Sequence, residues 1–157
     1  MARYRSILSL ILIIVATLIV SCSSPTAFKQ PPTYTDAQIQ QIQQYVPEIV
    51  ALRDRMNEIP ALIQRRDWIG VNNFVHGPLG ELRLQLTYAT RHLLPDDQKQ
   101  ARQATREFFD HLVNITEAAG TNNPQVAKLN YQAALKDINN FLQLVPQPSP
   151  QSLENEA

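Results

Sequence analysis

Three histidines, one cysteine and a long serine-free stretch bound the chemistry open to this chain of 157 residues. No serine lies between Thr33 and Pro148, so a serine nucleophile is excluded there. His76 lies 19 residues before Pro95, and His111 lies 16 residues after it. Two helices meeting at Pro95 would rise about 1.5 Å per residue and bring the two imidazoles to heights within about 5 Å. Glu107 sits one helical turn before His111. His76, Glu107 and His111 are therefore candidate ligands for a surface zinc or calcium ion, zinc being the one that readily takes imidazole and carboxylate together. The competing reading makes Glu107 and His111 an exposed i,i+4 pair. His92 fits a cation near a helix C-terminus. Other site chemistries lack their motifs: there is no Glu-x-x-His for a di-iron bundle and no Cys-x-x-Cys-His for covalent haem. "GPLGELR" has neither the spacing nor the lysine of a P-loop. With no nucleophile–base pattern in view, the chain reads as a non-enzyme.

Cys22 is the only cysteine and sits in "LIVSCSS". Arg3 and Arg5 precede "ILSLILIIVATLIV", residues 7–20. A basic start, an apolar run of this length and small residues at its end make a secretory signal. Ile19, Val20 and Ser21 before Cys22 resemble the lipobox of bacterial lipoproteins, which implies a diacylglycerol on the Cys22 thiol after cleavage at residue 21. An uncleaved transmembrane anchor is the alternative, although the run is short for about 17–25 spanning residues. A disulfide has no second cysteine to use. Either route exports the protein and holds it at a membrane surface.

Removing Arg3 and Arg5 from 14 basic residues leaves 12 against 14 acidic ones, a net charge of −2. Such a chain has no long-range attraction for nucleic acid. About 136 mature residues suffice for one domain with its own core. Residues 22–34, proline-rich and polar, read as a tether, and residues 146–157 as a disordered tail. The folded part is then 35–145.

Within those limits the apolar spacing is helical. "TDAQ" at residues 35–38 forms a capping box, opening a helix over about 36–65 that carries Ile39, Ile42, Val46, Ile49, Met56 and Ile63 on one face. Pro47 and Pro60 each delete a backbone donor and should bend or break it. A second helix from about Asp67 carries Trp68, Val71, Val75, Leu79, Leu82, Leu86, Ala89 and Leu93 inward. "HGPLG" inside it predicts a packing notch and kink, or a partner's docking point. Pro95 starts a third helix at its first position, with Asp96 and Asp97 at the positive end of its dipole and Gly120 as its terminator. Asn123 and Pro124 open a fourth, whose apolar residues recur at 4,3,4,3,4 from Ala127 to Val145. The expected fold is all-α, an up-down-up-down four-helix bundle behind an extended tether. Trp68 is either core or an interface anchor. Arg83 and Arg91, on the exposed side of the second helix, are the other candidate partner-binding residues.

"RRDWIGVNNFVHGPLGELRLQL" followed by "LLPDDQKQARQATREFFDHLVNITEAA" resembles the PsbQ family of photosystem II extrinsic proteins in its cyanobacterial lipoprotein branch. The shared features are the tryptophan after a basic–acidic step, "HGPLGELR", the "LLP-D-Q" turn and the "AA" closing the third helix, in that order over roughly residues 35–145. The "IVSC" lipobox agrees with that branch. The resemblance implies a non-catalytic, lipid-anchored protein on the lumenal side of the thylakoid membrane. Its implied partners are a photosystem II core antenna and the manganese-stabilising extrinsic subunit. Its implied role is to stabilise the oxygen-evolving complex and help retain calcium and chloride. A lipid-anchored metal- or small-ligand-binding bundle is the alternative.

Overall fold

A computed structural model describes residues 32–148. The signal segment, Cys22, most of the tether and the tail from residue 149 lie outside the described residues. Those residues form four helical rods packed up-down-up-down, as the periodicity predicts, with no strand among them.

The first rod is three helices in series: α1 (Asp36–Gln43), α2 (Val46–Arg55) and, after a 3₁₀ turn at Met56–Glu58, α3 (Ile59–Gln64). Both breaks have the expected cause. Pro47 and Pro60 sit in the first turns of α2 and α3, where a missing N–H costs no helical bond. The capping box forms as read: Thr35 Oγ1 accepts from the Gln38 amide at 3.3 Å, and the Thr35 amide donates to Gln38 Oε1 at 3.0 Å.

The second rod breaks at "HGP" into α4 (Trp68–His76) and α5 (Pro78–His92). Gly77 is required there, since a Cβ would lie 2.7 Å from the Asn73 carbonyl oxygen. Gly80 faces open space, so the predicted notch is confined to Gly77. Gly70 supplies a second close approach, its missing Cβ leaving room for the Asp67 carboxylate and Leu62. That carboxylate caps α4 by accepting from the Gly70 amide at 2.9 Å.

The third and fourth rods, α6 (Pro95–Gly120) and α7 (Pro124–Gln143), form the most extensive helix pair. Alanines on both inner faces, Ala101, Ala104 and Ala118 against Ala127 and Ala134, let the backbones approach while Phe108, Ile115, Ile138 and Phe141 fill the space between rods. Asn123 caps α7, accepting from the Val126 amide at 3.2 Å, with Pro124 as the first residue.

Gly120 is not the stop expected for α6. The helix runs through it, and Asn122 takes the left-handed conformation at φ 52°. Bonds from the Asn122 amide to the Ala119 carbonyl and from the Asn123 amide to the Ala118 carbonyl close a Schellman turn. Asn is one of the residues that tolerates this conformation, so no glycine was needed at position 122. The turn after α3 repeats the pattern with Arg66 at φ 57°, closed by Arg66 to Ile63 and Asp67 to Leu62.

The first rod crosses obliquely: α1 and α2 lie on α5, whereas α3 reaches α4 and α7. Three long-range bonds tie its beginning down. Gln43 Nε2 donates to the Pro146 carbonyl at 2.8 Å, and the Tyr34 hydroxyl donates to Asp97 Oδ2 at 2.6 Å while accepting from the Leu94 amide at 3.1 Å.

Candidate functional site

The histidines are dispersed. His76 ends α4 and is exposed, while His92 occupies the last turn of α5 with its ring stacked 6.3 Å from that of Tyr45. His92 thus stands at the C-terminal end of α5, the position expected from the sequence. His111 is half-buried, and its partners come from α7 rather than from His76. Its Nδ1 lies 3.0 Å from Asn130 Oδ1, and its Nε2 lies 3.6 Å from Asp137 Oδ2. Since Asn130 Nδ2 donates to the Val126 carbonyl, Asn130 Oδ1 is oriented to accept, which makes His111 Nδ1 the donor of that pair. Glu107 is exposed and accepts from Gln103 Nε2 at 2.9 Å, so the simple Glu107–His111 surface pair does not form.

Asp137 is the residue that sequence reasoning passed over. It is only 7 % exposed, and its Oδ2 has no hydrogen-bond partner. Burial holds its carboxyl above the usual carboxylate range, against the opposing pull of His111; Glu107 adds to the rise and Lys136 subtracts from it. A signal existed, because Asp137 is spaced i+3 from Ala134 and i−4 from Phe141, on the buried stripe of α7. His111 and Asp137 offer at most two metal ligands. No group of three or more His, Cys, Asp or Glu side chains gathers as a metal-holding set among the described residues.

Trp68 belongs to neither extreme of its two readings. It is half-buried against the core, and its indole N–H donates to Asn122 Oδ1 at 2.8 Å. The bond fastens the Schellman turn after α6 to the one before α4. Next to α3 and the start of α7, an open groove of about 480 Å³ is lined by Pro60, Ile63, Gln64, Pro124, Gln125 and Lys128. It holds one ammonium and no acid–base pair, an apolar recess rather than a reaction site.

The two arginines singled out from the sequence differ in what they do. Arg83 lies over the Phe109 ring, its guanidinium carbon 3.9 Å from the centroid. It covers a core aromatic while remaining exposed itself. Arg91 instead borders an open groove of about 330 Å³ between α5 and α6, shared with Thr87, Thr90, Arg102 and Thr105. Arg102, unremarked in the sequence, reaches this groove because residues 83, 87 and 91 of α5 run antiparallel to 109, 105 and 102 of α6. Neither Arg91 nor Arg102 makes an ion pair among the described residues.

None of the helices in the described residues is long and apolar enough to cross a membrane. The described residues form a packed bundle with caps and turns well tied, one buried carboxylate among them, and open grooves on the outside. Comparison with known proteins matches the sequence to a family and to a relative. The chain is 43 % identical over 150 residues to CyanoQ of Synechocystis sp., an alignment covering 95 % of this chain and all of that protein. Residues 2–146 match the PsbQ family, described as oxygen evolving enhancer protein 3. With both matches running nearly end to end, the chain belongs to the PsbQ family.

Proposed function

We propose that this chain is a non-catalytic extrinsic subunit of photosystem II, held by a lipid on Cys22 at the lumenal face of the thylakoid membrane. In that position it contacts a core antenna and the manganese-stabilising subunit, stabilises the oxygen-evolving complex and helps retain calcium and chloride. The observation that carries the reading is the 43 % identity to CyanoQ across the whole of that protein. The bundle's physics is compatible: a rigid body whose exposed grooves offer contacts but no nucleophile–base pair. Anchoring by a lipid raises the effective concentration at a membrane partner, so individually modest contacts suffice.

The test is a pull-down of a C-terminally tagged chain from detergent-solubilised thylakoids, with mass spectrometry of everything retained. Stoichiometric recovery of photosystem II core subunits is the expected result; recovery of the lipidated chain alone across mild detergents refutes the subunit reading. Cys22→Ser tests the anchor separately. Its occupancy on photosystem II should fall while the far-ultraviolet circular dichroism stays unchanged. Equal occupancy in washed thylakoids removes the lipid from the account.

A further inference from the structure

The groove between α5 and α6 has a composition that the fold does not use. Leu84, Thr87, Tyr88 and Arg91 follow one another at i, i+3, i+4 and i+7 on the outer face of α5. Leu84 is 59 % exposed and Tyr88 38 %, the Tyr88 ring also meeting that of Tyr45 at 5.7 Å. Beside them, Arg91 and Arg102 flank the threonines at 87, 90 and 105. Thr105 Oγ1 is buried and has no hydrogen-bond partner among the described residues.

Of the two guanidiniums, that of Arg102 is held by a hydrogen bond and that of Arg91 rests over an aromatic ring. Gln98 donates through Nε2 to the carbonyls of Arg91 at 3.1 Å and Leu93 at 2.8 Å, and accepts from Arg102 Nη1 at 3.1 Å. One amide thus fixes the end of α5 that carries Arg91 and the side chain of Arg102. Arg91 also lies over Tyr88, 5.4 Å from the ring centroid. No carboxylate of the described residues is within ion-pairing distance of either arginine. Two guanidiniums on one groove, neither ion-paired among the described residues, are complementary to carboxylate, which such planar forks bind in bidentate fashion.

Resting on the subunit reading above, the geometry points to this face as the one that docks, and to an acidic segment of a protein partner as its occupant. That segment places a carboxylate between Arg91 and Arg102 and an apolar side chain against Leu84 and Tyr88. A free inorganic anion fits less well. The groove lies along helix flanks whose backbone amides are already bonded, so a small ion would find only side-chain donors and leave the apolar strip bare. Aromatic and arginine groups side by side are also the residues that dominate protein interfaces.

The experiment measures binding of the full-length chain to photosystem II complexes depleted of it, at two ionic strengths. R91E/R102E is compared with R91Q/R102Q, and with K128E/K136E on the exposed side of α7 as a control carrying the same charge change. R91E/R102E should weaken binding by about tenfold or more, since like charges facing each other across an interface are strongly disfavoured. R91Q/R102Q should lie between it and the wild type, and K128E/K136E should stay within about twofold. Melting temperatures accompany each variant; if the double reversal unfolds the bundle, the glutamine pair decides. Wild-type binding with both arginine variants indistinguishable from it overturns this face and leaves the subunit reading standing. Failure of the wild type itself to bind is instead the failure of the subunit reading. Inorganic phosphate serves as the probe for the other occupant. Tight phosphate binding to the groove, together with undiminished docking of R91Q/R102Q, would make it a small-anion site and refute the docking assignment.

Discussion

Tyr34 is the most economical place to test whether the tertiary contacts are understood. Among the described residues its hydroxyl makes the hydrogen bonds that join the start of the first rod to the turn between the second and third: it donates to Asp97 Oδ2 and accepts from the Leu94 amide. Tyr34→Phe removes both bonds and almost no apolar area. A hydrogen bond to a charged acceptor contributes about 1.5–3 kcal/mol, and an unpaired backbone N–H costs about 1–3 kcal/mol where water is excluded. Tyr34, Leu94 and Asp97 are all half-buried, so water recovers part of each loss. The expected cost is therefore about 2 kcal/mol, below the sum of the two ranges. At about 4 °C per kcal/mol for a domain of roughly this size, the melting temperature should fall by about 8 °C. Thermal unfolding followed by circular dichroism measures it, with Asp97→Asn and the double variant completing a cycle. A fall below about 2 °C, or a cycle with no coupling, refutes the argument.

The same residue predicts an alkaline signature. Burial, chiefly, and the bond to Asp97 push the Tyr34 phenol from 10.0 up to about 12. The folded state therefore favours the protonated phenol. Its contribution is fully present below the unfolded value near pH 10 and is lost as pH rises through about 12. The gap in stability between wild type and Tyr34→Phe should accordingly close over that window.

Two further substitutions test the turn and the buried acid. Arg66→Gly should raise stability by about 0.5–1 kcal/mol, because Arg66 is exposed and holds φ 57°, where a Cβ is disfavoured; an unchanged or lower midpoint in urea contradicts this. Asp137→Asn should raise the melting temperature at neutral pH, since the native state resists ionising this carboxyl. Its raised value means that stability is fully present below the unfolded carboxylate range and lost as pH rises through the folded one, so the variant's advantage should vanish on acidification. An advantage that grows on acidification would show that the pairing with His111 outweighs burial.

How much of this was legible in the chain depended on the range of the interaction. The capping box at Thr35, the Asn123–Pro124 start and the proline breaks at 47 and 60 were all read correctly, because each is settled within a few residues. Gly120 misled for an equally local reason: two tolerated left-handed positions were available, and Asn122 was used. The candidate ligand set fared differently. Helical height placed His76 and His111 within reach, but height says nothing of azimuth, and the neighbours of His111 are Asn130 and Asp137 from α7. Arg83 and Arg91 looked equivalent on the exposed side of one helix, until the third rod put Phe109 under the first and Arg102 beside the second.

By itself the amino-acid order determined the class of fold, the number of rods and most of their ends. Apolar period, caps and prolines act over one or two turns, and their effect survives whatever the rest of the chain does. Only the tertiary structure decided which polar groups meet. It buried Asp137 without a full set of partners, fastened Trp68 to Asn122 across 54 residues and left two guanidiniums facing one groove. Those outcomes depend on the rotation and crossing of rods about their own axes, which are set by how side chains of different volume interlock between helices, and no local pattern encodes that.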